Sequence, residues 1–184
     1  MSSTEVPQRR RADAERNRQR IFTAAREVLT DPRSEMSMAE VARRAGVGMA
    51  TLYRNFPGRQ ELLEALFAEE VDELCRSAAQ LPGSAGDAFI AWLNRFAAFH
   101  ASKHPIAAEL LRHTDVTDPV FTSSRERALA AARPLFEAAC DEREIHSGLS
   151  LDQVLDLVLA ASTVPGTRTY VDPILQAVLT GLRT

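Results

Sequence analysis

A chain of 184 residues, 45% hydrophobic and 26% charged, has the make-up of a globular protein with one or two buried cores, and no apolar run nears the roughly 18–20 residues that cross a bilayer. Its two cysteines, Cys75 and Cys140, fit neither a CxxC spacing nor a disulfide framework and read as buried free thiols of a reducing cytoplasm. The net charge of −3 hides an asymmetry: residues 1–60 hold 12 Arg and 7 acids, residues 61–184 hold 10 bases and 18 acids, so a basic head that suits a polyanion precedes an acidic body.

Residues 1–12 are polar, contain Pro7 and run through Arg9-Arg10-Arg11. They predict a disordered basic arm, not a secretory signal, because no apolar core follows; such an arm can reach phosphate or a minor groove. Asp13 can cap a first helix over 13–29, where Ile21, Ala24, Ala25, Val28 and Leu29 repeat with helical spacing. Asp31-Pro32 ends it. Ser37 and Glu40 form a capping-box pattern that opens a second helix, buried through Val41, Ala42 and Ala45. Gly46 sits where a left-handed residue ends a helix, and Val47 plugs the turn. A third, short helix over 49–56 turns Leu52 and Phe56 inward and leaves Thr51, Tyr53, Arg54 and Asn55 outside. So short a helix is unstable alone. It makes sense when propped on a partner and presented outward with side chains that suit phosphates and base edges; a helical corner in an ordinary bundle has the same periodicity.

From Ile21 to about Leu66 the chain resembles the DNA-binding domain of the TetR family of regulators. The resemblance is carried by Ile21, Ala24-Ala25, Ser37 before Val41-Ala42, Ala45-Gly46-Val47, Thr51-Leu52-Tyr53, Phe56, Arg59 and Leu62-Leu63. It implies that Tyr53 and Arg59 contact backbone phosphate, Arg59 from the start of a fourth helix, and that Thr51 contacts backbone or base. It also implies that Ser37 and Arg44 face phosphate from the second helix. Met49, Ala50, Arg54 and Asn55 occupy the positions that vary with operator sequence, with Arg54 suited to guanine and Asn55 to adenine. Two departures stand out: Gly48 and Gly58 replace the family's usual capping residues, at small cost to a helix start.

Further helices are predicted over 59–81, 87–103, 106–113 and 119–143, with breaks at Pro82 and Pro105. Trp92, Phe96, Phe99 and His100, with Leu111, Phe121, Phe136 and Tyr170, are either core or the lining of an effector pocket. His100 and His104 are one turn apart with His113 nearby, but no Cys is close, so packing is preferred to metal. No phosphate loop, nucleophile elbow or carboxylate pair marks an enzyme. Ser150 and Gln153 cap the helix LDQVLDLVLAAS, and Asp172-Pro173 signals the start of a last helix with Ile174, Leu175, Val178, Leu179 and Leu182. The resemblance implies that these last two helices form a homodimer.

The expected fold is all-α: an arm over 1–12, a helix–turn–helix domain over 13–58 and an effector-binding and dimerisation domain over 59–184. The expected activity is that of a cytoplasmic, dimeric regulator, a repressor, that binds a palindromic double-stranded operator and is released by a small apolar or amphipathic effector. It is expected to use no cofactor, metal or membrane. A DNA-binding regulator governed by a protein partner is the alternative.

Overall fold

The computed structural model describes residues 5–112, 115, 117–146 and 148–184, with the backbone alone for 5–11 and 102–104. Two compact units divide the chain, Met1–Leu66 and Phe67–Thr184. The division falls inside a helix, so Leu62, Leu63 and Leu66 belong to the first unit rather than to a second domain starting at residue 59.

The first unit contains α1 (Glu5–Thr30), α2 (Met38–Ala45), α3 (Met49–Asn55) and the start of α4 (Arg59–Ser77). α1 buries Ile21, Phe22, Ala24, Ala25 and Val28; Phe22 joins the expected stripe, while Leu29 is only half-buried. The helix begins well before Asp13, which corrects the reading of residues 5–12 as a disordered arm and of Asp13 as a cap. Asp13 instead forms an ion pair with Arg16 one turn on. Once the buried stripe fixes the helix, each further residue extends it cheaply. Gln8 and the arginines are good helix formers, and Pro7 lies in the first turn, where its missing N–H breaks no bond. The side chains of Arg9, Arg10 and Arg11 lie outside the described residues.

The second unit holds the rest of α4, a 3₁₀ turn at Ala78–Gln80, and α5 (Ala85–Leu110), α6 (Pro119–Asp141), α7 (Leu151–Ser162) and α8 (Arg168–Gly181). No strand occurs among the described residues. Its core gathers Leu74, Phe89, Trp92, Leu93, Phe96, Ala132, Val154, Leu155 and Val158. One expected break and one expected helix start do not occur. Pro105 lies within α5, because Ile106 and Leu110 continue the buried stripe and packing carries the helix past one lost bond. Pro173 lies within α8 rather than in its first turn; the helix starts earlier, at Arg168, after Thr167, whose carbonyl accepts from Tyr170 and Val171 N–H.

The expected capping box on α7 is complete: Ser150 Oγ accepts from Gln153 N–H at 3.3 Å and Gln153 Oε1 from Ser150 N–H at 2.8 Å. α6 ends in a Schellman turn, with Arg143 in the left-handed region (φ 57) and Glu144 N–H donating to the Ala139 carbonyl at 3.0 Å. That turn aims Glu144 at the start of α5, where its carboxylate accepts from Ser84 Oγ at 2.5 Å and Gly86 N–H at 2.6 Å.

Candidate functional site

The exposed face of the first unit is built by two unlike helix starts and one tight turn. Ser37 Oγ accepts from Glu40 N–H at 3.2 Å and caps α2. The other half of the expected capping box is missing, because Glu40 turns its carboxylate to Arg43 and Arg44 instead. Gly46 ends α2 at φ 62, ψ 38, with its N–H on the Ala42 and Arg43 carbonyls. A Cβ there would lie 2.7 Å from the Arg20 guanidinium, which itself donates to the Gly46 carbonyl at 3.3 Å. α3 starts at Gly48 without a side-chain cap; the Gly48 carbonyl accepts from Thr51 and Leu52 N–H at 2.9 and 3.0 Å.

Leu52 and Phe56 anchor α3 inward, at 0% and 2% exposed. The Phe56 ring lies 5.5 Å from that of Phe22, and the Arg18 guanidinium covers both at 5.1 and 4.7 Å. Facing outward are Met49 and Tyr53, at 40% and 47%, with Ala50 and Arg54 also exposed. Thr51 and Asn55 are half-buried. Arg54 donates to Thr51 Oγ1 at 3.2 Å, and the Asn55 amide donates to the Thr51 carbonyl at 2.8 Å, so both side chains fold back on their own helix. Ser37 is exposed beside this face, and Arg59, half-buried, is the first residue of α4.

Arg44 is placed differently from the rest. Its Nη2 donates to Asp31 Oδ2 at 2.7 Å and to Ser34 Oγ, its Nε donates to Glu40 Oε1 at 2.7 Å, and only 20% of its side chain reaches solvent. Bonds from Arg44, Ser34 and the Arg33 N–H hold the Asp31 carboxyl down to about 2. The Glu40 carboxyl is likewise held to about 2, first by Arg43 and then by Arg44. Neither Asp31 nor Arg43 was marked by the sequence; an acid in a helix-ending Asp-Pro pair reads simply as a turn former.

Aromatic residues of the second unit form a chain of ring contacts. Trp92 stacks on Phe96 at 5.6 Å, Phe96 meets His100 at 4.5 Å, and His100 meets Phe99 at 5.1 Å. Phe67 then links Phe99 to Phe121, at 5.9 and 5.4 Å. Trp92 is fully buried, its Nε1 donating to the Leu74 carbonyl at 3.3 Å. Phe136 pairs instead with Phe89, while Leu111 and Tyr170 are exposed at 40% and 60%. A cleft of about 740 Å³ between α5, the end of α7 and α8 is lined by Asn94, His100, Thr163, Arg168, Asp172 and Gln176 above an alanine floor at Ala97, Ala98 and Ala101. An adjoining cleft of about 370 Å³ includes Glu73, Arg95 and Phe99, and shares Arg168. Of the eight expected pocket residues, His100 and Phe99 line these clefts. Burial, reinforced by the charge of Arg125, lowers His100 to about 4, so its imidazole is neutral at pH 7. The side chain of His104 and all of His113 lie outside the described residues, and no helix among the described residues is long and apolar enough to cross a membrane.

Comparison with known proteins covers both units. Residues 21–66 match the family model described as bacterial regulatory proteins, tetR family, and residues 84–184 match that of the C-terminal domain of SbtR-like transcriptional regulators. The crystal structure of the TetR transcriptional regulator SCO0520 from Streptomyces coelicolor is 32% identical, with 90% of this chain and 98% of that one covered and a TM-score of 0.73. The TetR transcription regulatory protein from Mycobacterium vanbaalenii is 24% identical over 95% of this chain and 99% of its own, with a TM-score of 0.76. The HTH-type transcriptional regulator SAR0097 from Staphylococcus aureus (strain MRSA252) is 35% identical over 68 residues; the match spans 36% of this chain and 36% of that curated relative.

Proposed function

The chain belongs to the TetR family of DNA-binding transcriptional regulators, and from that premise we propose a ligand-released repressor that grips a palindromic operator as a homodimer. The observation that carries the DNA reading is the division of α3: Leu52 and Phe56 are buried, while Met49, Ala50, Tyr53 and Arg54 are exposed. In this reading α3 enters a major groove. Tyr53, Thr51, Ser37 and Arg59 hold phosphates and fix the register, and Arg54 and Asn55 read base edges. Both must first release Thr51. Met49 and Ala50 offer only apolar contact, which suits thymine methyls. Two-fold pairing through α7 and α8 supplies a second head, since one short helix reads too few base pairs for specificity.

The effector reading rests on the cleft beside α8. Its volume suits a small molecule, and its mixture of an alanine floor with Asn94, His100, Arg168, Asp172 and Gln176 suits an amphipathic one. Ligand binding would favour a head spacing that no longer matches successive major grooves. The test is a fluorescence-anisotropy titration with a duplex of about 30 bp selected from random sequence by the parent protein. Tyr53→Ala and Arg59→Ala should weaken binding to selected and scrambled duplexes alike. Full affinity in both variants would remove the assigned contacts. A thermal-shift screen of amphipathic compounds, followed by release from the duplex, tests the effector; a binder that leaves the DNA complex intact would refute the release mechanism.

A further inference from the structure

The family pattern turns the Arg44 position toward phosphate, yet the surroundings of this side chain argue for another role. Its guanidinium spans two segments of chain: Asp31 and Ser34 from the α1–α2 connection, Glu40 from the first turn of α2. Asp31 is itself fixed by the Arg33 N–H at 3.0 Å and the Ser34 hydroxyl at 2.8 Å. Neighbouring Arg43, by contrast, is 69% exposed and touches Glu40 alone. A phosphate reaching Arg44 would have to approach two carboxylates at hydrogen-bond distance and break an arrangement already satisfied. The fork geometry of a guanidinium suits a bridge between two carboxylates better than the point charge of a lysine does.

We infer that Arg44 is a positioning residue: it pins the α1–α2 connection to α2, and so fixes how α2 and the reading helix α3 are held, without touching DNA. The inference rests on the reading that α2 and α3 dock on DNA.

The two roles predict opposite signs at Asp31. Removing an acid from a basic head should tighten DNA binding by simple electrostatics; removing an anchor of Arg44 should weaken it. The experiment measures binding of the full chain to the selected duplex over a series of salt concentrations, for Asp31→Ala, Arg44→Ala, the double variant and Arg44→Lys. Positioning predicts that Asp31→Ala and Arg44→Ala each weaken binding roughly tenfold and that the double variant is no worse than the weaker single, because both break one unit. It predicts that the slope of log K against log salt stays at the parent value. Arg44→Lys, which keeps the charge and loses the fork, should behave like Arg44→Ala. The inference is overturned if Asp31→Ala binds as tightly as the parent or more so, if Arg44→Ala lowers the slope by the roughly 0.9 of one phosphate contact, or if Arg44→Lys restores affinity. Should Arg44→Ala fail to fold, Asp31→Ala carries the sign test, and the milder Ser34→Ala, which changes no charge, should weaken binding without changing the salt slope. Tyr53→Ala is the control for the docking reading: if it binds like the parent, that reading fails whatever the arginine does.

Discussion

Gly46 and Gly48 stand two residues apart in the turn of the helix–turn–helix, and substituting them should have opposite effects. Gly46 lies at φ 62, ψ 38, where an L-residue costs about 1–2 kcal/mol. A new Cβ would also lie 2.7 Å from the Arg20 guanidinium. That flexible end can move, but moving it gives up the bond to the Gly46 carbonyl, an exposed contact of roughly 0.5 kcal/mol. Gly46→Ala should therefore destabilise by about 1.5–2.5 kcal/mol, or about 3–10 °C in Tm for a chain of this size. Gly48 sits at φ −69, ψ 149, extended backbone that any residue adopts, with nothing within 4 Å of a Cβ. It is an uncapped helix start, so Gly48→Ser should stabilise α3 by a few tenths of a kcal/mol. Thermal and urea unfolding of the full chain, followed by far-UV circular dichroism, distinguishes the two. A Gly46→Ala protein that unfolds with the parent would refute the claim that this turn depends on glycine.

Arg143→Gly should stabilise the second unit by up to about 1 kcal/mol, because the Schellman turn holds an arginine in a left-handed conformation that glycine adopts freely; an unchanged urea midpoint would argue against strain there. Asp31 and Glu40 have carboxyls held at about 2, below their unfolded values near 4. Their contribution is therefore complete above about pH 4.5 and is lost as pH falls toward 2; Asp31→Asn should flatten that part of the acid-unfolding curve and leave neutral stability less affected by pH. His100 acts in the same direction at higher pH: at about 4 in the folded chain and near 6.5 unfolded, it lets the unfolded state take up a proton first. Stability should fall as pH drops from about 6.5 to 4, and His100→Gln should remove that slope.

The backbone architecture was legible because its signals are local. Ser37, Ser150 and Gly46 act where a cap or a left-handed turn is needed, and Leu52 and Phe56 repeat at one helical turn. The prolines misled because Pro105 and Pro173 each remove one bond, while the buried stripe of α5 and the earlier start of α8 at Arg168 outweigh that loss. The aromatic residues were ambiguous for a different reason. Hydrophobic spacing gives the side of a helix that is buried, not whether its neighbour is another ring or an empty space; Trp92 and Phe96 are buried, and one cleft lies over small alanines beside His100. The Arg44 bridge joins residues 13 apart in sequence, across a turn whose geometry no spacing rule supplies.

The same bridge limits what charge composition says about DNA. Residues 1–60 carry 12 arginines, and if each met a phosphate, one head would give a salt slope near −11. Five of them, besides Arg54, have partners within the protein. Arg16 pairs with Asp13, Arg18 covers the Phe22 and Phe56 rings, Arg20 donates to the Gly46 carbonyl, and Arg43 and Arg44 share Glu40. Of these, Arg18, Arg20 and Arg44 touch the residues that position α2 and α3, and moving them to phosphate would break those contacts. At most seven arginines per head remain, so the slope per head should be no steeper than about −6. Anisotropy titrations from low to moderate salt measure it directly. A steeper slope would mean that these five pairs open on DNA, and that the basic head acts through its total charge.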